Sequence, residues 1–107
     1  MLPESQLMSM SLTQYKSFLN ENKTIANSDD AQMVKRVGNK IAAAAESYLK
    51  RHGQGKRVKD FNWEFNLVED NTVNAWCMPG GKVVFYTGIL PITKDEAGLA
   101  VVMGHEI

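Results

Sequence analysis

Apolar residues recur at two different spacings along this chain, and the change of spacing divides it. From Ser5 to about Asn20, Leu7, Met8, Leu12, Tyr15, Phe18 and Leu19 fall on one stripe at intervals of three and four. Ser9, Ser11, Gln14 and Lys16 fill much of the other side. That period is helical and predicts an amphipathic packing helix. Its polar face is not basic, which argues against a membrane-surface role. Met8 and Met10 are soft enough to fill gaps against a partner surface. Asn22 to Asp29 reads as a linker. Ser28 is placed to cap a second helix from about Asp29 to Arg51, with Asp29 and Asp30 in its first turn. Val34, Val37, Ile41, Ala45 and Tyr48 form the expected inner stripe, with Leu49 beside it. Ala42 to Ala45 is strongly helix-forming and lets another element approach. Lys50, Arg51 and His52 complement the negative helix end, and Gly53 is a fitting terminator. His52 is read as that charge complement, not as a ligand.

After a polar loop over Gln54 to Asp60 the period becomes two. Phe61, Trp63, Phe65 and Leu67 alternate with Asn62, Glu64 and Asn66, which predicts a half-buried strand. Glu69-Asp70-Asn71 is a turn. Val73 to Met78 and Lys82 to Thr87 are two further strands, and Pro79-Gly80-Gly81 between them predicts a hairpin. Val83-Val84-Phe85-Tyr86 does not alternate, so its strand is expected to be covered on both faces. Trp76 and Tyr86 are expected to pack in the core.

The last stretch, Thr93 to Ile107, reads as a helix. Thr93 and Glu96 are spaced as a capping box, and Asp95 adds negative charge at the positive end of the dipole. Ala97 to Gly104 carries no polar side chain, so this helix is expected to be buried. Gly98 and Gly104 each cost about 1 kcal/mol relative to Ala in a helix interior, which makes sense where another backbone packs closely. Then His105 and Glu106 appear side by side. They form the first half of the pattern HExxH, in which residues four apart on a helix turn two imidazoles to one zinc ion. The Glu then stands where it can take a proton from a water held by the metal. The second His would fall at position 109, beyond Ile107. The plainer reading makes His105 a cation favoured by the helix C-terminus.

The order of elements is α, α, β, β, β, α. It predicts an α+β fold, with helices packed on a small, mainly antiparallel sheet of three strands and the buried helix at the C-terminus. The chain has 107 residues, enough for one domain or part of one. Lys plus Arg and Asp plus Glu both number 12, and no basic stripe appears, so nucleic acid is not an expected partner. The single cysteine, Cys77, excludes an internal disulfide framework. It is read as a small buried hydrophobe, not a nucleophile. No apolar run reaches the roughly 18 residues of a membrane span, and the N-terminus does not read as a signal peptide.

Three features stand together: Asn74-Ala75-Trp76-Cys77-Met78 running into Pro79-Gly80-Gly81, then Lys82 to Thr87 with Gly88-Ile89-Leu90, and last Asp95 to Ile107. In this combination and spacing the chain resembles the zinc metallopeptidases of the HtpX, Oma and CAAX-prenyl-protease type, which are gluzincins. Ser11 to Leu19 resembles the bacterial envelope branch of that family. The resemblance implies a zinc endopeptidase, with residues 1–107 forming the N-terminal part of its catalytic domain. It implies that His105 is the first zinc ligand and Glu106 the general base. A second His and a Glu from a later helix would complete the metal site. The strand at Asn74 to Cys77, or its hairpin partner, would be the edge on which an extended peptide or protein substrate adds a strand, with Asn74 and Ala75 on the substrate side. Location in the bacterial cell envelope, on the periplasmic side and with a lipid anchor, is the matching expectation. Because one His holds zinc weakly, these 107 residues alone are expected to be inactive. Their final helix is expected to expose apolar surface through which two copies could pair. The competing expectation is a non-catalytic α+β interaction module in which the His-Glu pair is incidental.

Overall fold

The computed structural model describes residues 4–107, with side chains from Ser11 onward. The packing expected of Leu7, Met8, Ser9 and Met10 therefore lies outside the described residues. In chain order the elements are α1 (Glu4–Glu21), β1 (Thr24–Ile25), α2 (Asp29–Arg51), a 3-10 turn (Gly55–Asp60), β2 (Glu64–Val68), β3 (Ala75–Met78), β4 (Lys82–Tyr86), a second 3-10 turn (Thr87–Ile89), α3 (Leu90–Thr93) and α4 (Glu96–Glu106). The fold is α+β, as the pattern of periods implied.

The sheet is richer than the three strands expected. Its order is β1-β2-β4-β3. The two-residue strand β1 lies inside the stretch expected as a linker and pairs antiparallel with β2. β3 and β4 form the antiparallel hairpin, with Met78 opposite Lys82. Gly80 and Gly81 close it with φ of 88° and 86°, values that glycine adopts without a Cβ clash. β2 and β4 run parallel, from Glu64 opposite Lys82 to Val68 opposite Tyr86. A hairpin signal reports only neighbours in sequence, so this parallel pairing could not be read from turns. β4 is central, and Val83, Val84 and Phe85 are fully buried, which explains its unbroken apolar run.

Two clusters cover the two faces. On one, Ala31, Val34, Val37 and Ala42 of α2 pack with Phe65, Leu67, Val83, Phe85, Leu99 and Met103. On the other, Tyr15 of α1 packs with Val68 and Val84, joined by Leu12, Phe18, Leu19, Trp76 and Tyr86. Phe18 meets Trp76 edge-on, with ring centroids 4.9 Å apart. Trp76 Nε1 donates to the Tyr86 hydroxyl at 3.2 Å. These are the packing roles expected of Trp76 and Tyr86.

α2 begins and ends as its residues dictate. Ser28 Oγ accepts from Ala31 N at 3.1 Å. At the far end the Nδ1 of His52 lies 2.8 Å from the Tyr48 carbonyl oxygen, and Gly53 has a φ of 75°. His52 is thus tied to the helix end. Tyr48 corrects the expected inner stripe: it is 55% exposed and stacks on His52, because α2 outruns the core that its first half covers.

α4 departs from expectation in three ways. It is not buried all round: Leu99 and Met103 face the core, whereas Val101 is 63% exposed and Ala97 and Gly104 are open. Lack of polar residues marked it as apolar, but only one side has a partner among the described residues. Its cap is Asp95, whose side chain accepts from Gly98 N at 2.8 Å. Thr93 is instead buried at the end of α3, with its hydroxyl donating to the Leu90 carbonyl at 3.1 Å. Gly98 does abut backbone, since a Cβ there would overlap the Thr93 carbonyl, but Gly104 meets nothing.

Candidate active site

The site is built from the last turn of α4, the free edge of β3 and the hairpin turn. α4 lies along α2, with Leu99 and Met103 buried between the helices and the sheet. Near its start, Arg36 Nε donates to Glu96 Oε1 at 2.6 Å. At its other end His105 and Glu106 are the last residues in helical conformation before Ile107. Both side chains are exposed. The helix is anchored by its middle and reaches the surface at the His-Glu pair, which it presents at an open end.

Glu106 and Ile107 border a cleft of about 540 Å³. Its other walls are the second half of α2 at Ala45, Tyr48 and Leu49, the rings of Phe61 and Trp63, Arg57, and the hairpin from Cys77 to Gly81. Phe61 and Trp63 stack with centroids 4.7 Å apart. Trp63 Nε1 donates to Glu46 Oε1 at 2.8 Å, and the indole lies against Gly81, where any Cβ would collide with it. Arg57, Phe61 and Trp63 escaped the sequence reading as cleft residues. Strand alternation assigned the two aromatics to a core face, and their partial exposure depends on where α2 ends.

β3 is an edge strand. Asn74 O accepts from Tyr86 N at 3.1 Å, so alternation along an antiparallel ladder turns the main-chain groups of Trp76 and Met78 toward β4. The main-chain groups of Ala75 and Cys77 then face the open side. The Ala75 N–H is already engaged, donating to its neighbour's Asn74 Oδ1 at 2.8 Å. Asn74 is exposed just before the strand, and Ala75 is buried within it. The structure thus brings the main chain of Ala75 to the free edge, together with that of Cys77 in the same expected edge strand. Burial, followed by the nearby Glu106 charge, pushes the Cys77 thiol up from its ordinary value. Cys77 was expected to be buried; it is half-buried instead, packed against the core on one side and bordering the cleft on the other.

A polar network braces the hairpin from below. Lys82 is only 5% exposed. Its ammonium donates to the Asn62 carbonyl and, at 3.2 Å, to Glu64 Oε2. Tyr15 of α1 donates to Glu64 Oε1 at 2.7 Å, and Asn66 Nδ2 donates to the Tyr15 hydroxyl at 2.6 Å. The Tyr15 hydrogen bond, more than Lys82, holds the Glu64 carboxyl below its ordinary value. This network joins α1, β2 and β4 close to the turn that borders the cleft.

Among the described residues no group of three His, Cys, Asp or Glu side chains converges in a way that could hold an ion. His105 and Glu106 are consecutive on a helix, so their side chains diverge by about 100° and both do not turn to one point. A catalytic zinc takes about three protein ligands. These residues fit as one ligand with a neighbouring carboxylate, not as a complete site.

Residues 28–107 match the family described as Peptidase family M48. The chain is 47% identical over 58 residues to the mitochondrial metalloendopeptidase OMA1 of Schizosaccharomyces pombe, covering 54% of this chain and 17% of that protein. It is 30% identical over 90 residues to the metalloprotease YcaL of Escherichia coli, covering 79% of this chain and 34% of that protein. It is 30% identical over 76 residues to the beta-barrel assembly-enhancing protease of Yersinia pestis, covering 71% of this chain and 13% of that protein. The chain thus spans between 13% and 34% of the length of these relatives.

Proposed function

The chain belongs to peptidase family M48, and on that premise we propose that the full-length protein is a zinc-dependent endopeptidase of the gluzincin type, with residues 1–107 as the N-terminal part of its catalytic domain. One observation carries the reading: α4 presents an imidazole and a carboxylate at consecutive positions of its last turn, and Glu106 borders the cleft beside the hairpin. His105 would be a metal ligand, with a second imidazole one helical turn further on and a later Glu supplying the rest, as the HExxH pattern requires. A bound zinc would supply Lewis acidity toward water and the peptide carbonyl.

The chain's own residues would do the rest. The Glu106 carboxylate would accept a proton from the attacking water and pass it to the departing amine. An extended peptide would pair with the open side of β3 through the main chain of Ala75 and Cys77. Asn74, at the mouth of that edge, would contribute its amide once it releases the Ala75 N–H. The expected substrates are proteins or peptides able to present an extended segment.

The test is cleavage of an unfolded protein such as casein by the full-length gene product. Cleavage should stop with the chelator 1,10-phenanthroline and return when zinc is restored. Cleavage that persists unchanged under chelation would overturn the metal-dependent reading. The isolated 107-residue chain should be inactive and bind zinc more weakly than micromolar in calorimetry, since it offers one ligand. Tight one-to-one binding at His105 would contradict this.

The site of action we propose is the bacterial cell envelope, on its periplasmic side with a lipid anchor, in quality control of envelope proteins. Similarity to the Escherichia coli and Yersinia pestis proteins supports it, the latter being named for β-barrel assembly; the yeast relative is named as mitochondrial. No described helix is long and apolar enough to cross a membrane. Recovery of the protein in the cytosolic fraction would refute the envelope assignment. The open face of α4, with Val101 exposed, also supports pairing of two copies of the isolated chain. Light scattering at high concentration should show a dimer, and a monomer would refute it.

A further inference from the structure

Lys94 is the one non-glycine residue with positive φ among the described residues. Its φ of 67° and ψ of −53°, with Asp95 N donating back to the Thr93 carbonyl at 2.7 Å, make a three-residue γ-turn of the rare, strained kind. Strain of this sort persists only where its surroundings over-determine it. Here they do. Lys94 N donates to the Leu90 carbonyl at 2.9 Å and closes α3. Thr93 is buried, and its carbonyl lies against Gly98 so closely that no side chain fits there. Asp95 caps Gly98 N, and its carbonyl accepts from Leu99 N at 3.0 Å. Turn, cap and contact glycine form one closed joint at the root of α4.

We infer that this joint sets the angle of α4, so that Lys94 and Gly98 are positioning residues for His105 and Glu106. The inference rests on the peptidase reading for its functional meaning, but not for its structural test. A helix rises about 1.5 Å per residue, so His105 stands roughly 14 Å from the joint, and a tilt of about 5° displaces it by roughly 1.2 Å. Misplacement of about 1 Å in a catalytic arrangement can cost on the order of 100-fold in rate. Leu99 and Met103 hold α4 by its middle. The far end has no such anchor, since His105, Glu106 and Ile107 are exposed. The root and this middle anchor together fix the aim of the helix, and a change at the root turns the open far end about that anchor.

Gly98→Ala places a methyl against the Thr93 carbonyl and should tilt α4. In the full-length protein, the amide resonances of His105 and Glu106 should then move together with those of Tyr48 and Leu49, which line the cleft with Glu106. Should Gly98→Ala fail to fold, Lys94 decides the matter. Lys94→Asn tolerates positive φ and should leave the far-end resonances in place, whereas β-branched Lys94→Val should move them. Val101→Ala, on the open face, is the control and should disturb only its own turn. In the full-length protein Gly98→Ala or Lys94→Val should lower kcat at least 10-fold with KM within about 2-fold, as expected when an interaction made only in the transition state is lost. Resonance changes confined to residues 93–99, or wild-type kcat in both variants, would overturn the inference. If the wild-type full-length protein cleaves nothing, the peptidase reading fails, and the resonance experiment still decides the joint.

Discussion

Arg36 Nε lies 2.6 Å from Glu96 Oε1, joining the first half of α2 to the first turn of α4 across 60 positions of sequence. The two helices pack in the same direction, and this contact pins their N-terminal ends while Leu99 and Met103 fill the space between them. Both partners are about half exposed, at 53% and 44%, so solvent screens the attraction and the pair contributes about 0–1 kcal/mol. Arg36→Ala should lower the thermal midpoint slightly at low ionic strength. The difference from wild type should vanish in about 0.5 M salt, where screening acts over only a few Å. A loss that survives high salt would mean that the arginine stem, not its charge, holds α4.

The Tyr15–Glu64 hydrogen bond gives the fold an acid-sensitive component. Its carboxyl titrates lower in the folded chain than its ordinary value of 4.5, first because of Tyr15 and then because of Lys82. A lowered folded value means that the stabilisation is present above about pH 4.5 and is lost as pH falls through the folded value. Tyr15→Phe removes the leading cause and leaves Asn66 Nδ2 without the hydroxyl it donates to. It should cost about 1–3 kcal/mol at pH 7, and the gap to wild type should narrow on going to pH 3. Urea unfolding at the two pH values measures this. A gap that widens in acid would contradict the assigned sign.

Two helical glycines should respond in opposite directions. Gly38, inside α2, faces the Phe65 ring so closely that a Cβ would overlap it. Ala is the better helix former, but overpacking costs about 1–3 kcal/mol and outweighs the gain. Gly38→Ala should therefore destabilise. Gly104 has nothing within 4 Å of its ideal Cβ. Gly104→Ala should stabilise by up to about 1 kcal/mol, less for being near the helix end. Equal effects from the two substitutions in denaturant titrations would refute the packing described for α2.

What the sequence made legible was whatever depends on near neighbours. The ends of α2 follow from Ser28 and Gly53, and the hairpin from Pro79-Gly80-Gly81. The two-sided cover of β4 follows from Val83-Val84-Phe85. Pairings between distant segments stayed hidden. The parallel match of Glu64 to Lys82, and the short β1 on its outer side, depend on chain paths that no turn signal records. The His105-Glu106 pair was legible as a half-motif, but the open side of α4 at Ala97, Val101 and Gly104 was not, because burial of a helix depends on what surrounds it and not on its own composition. Asp95 displaced Thr93 as the cap because Thr93 closes α3 and Lys94 takes the turn that follows it, so α4 starts two residues later than the capping-box spacing assumes.

The most direct test of the central claim compares metal content and peptide cleavage in full-length wild type, Glu106→Gln and His105→Ala. Glu106→Gln should keep bound metal near the wild-type stoichiometry while losing roughly 10²- to 10⁴-fold in kcat, the contribution of a general base. His105→Ala should lose both metal and cleavage. Undiminished cleavage by Glu106→Gln, or full metal content in His105→Ala, would contradict the account.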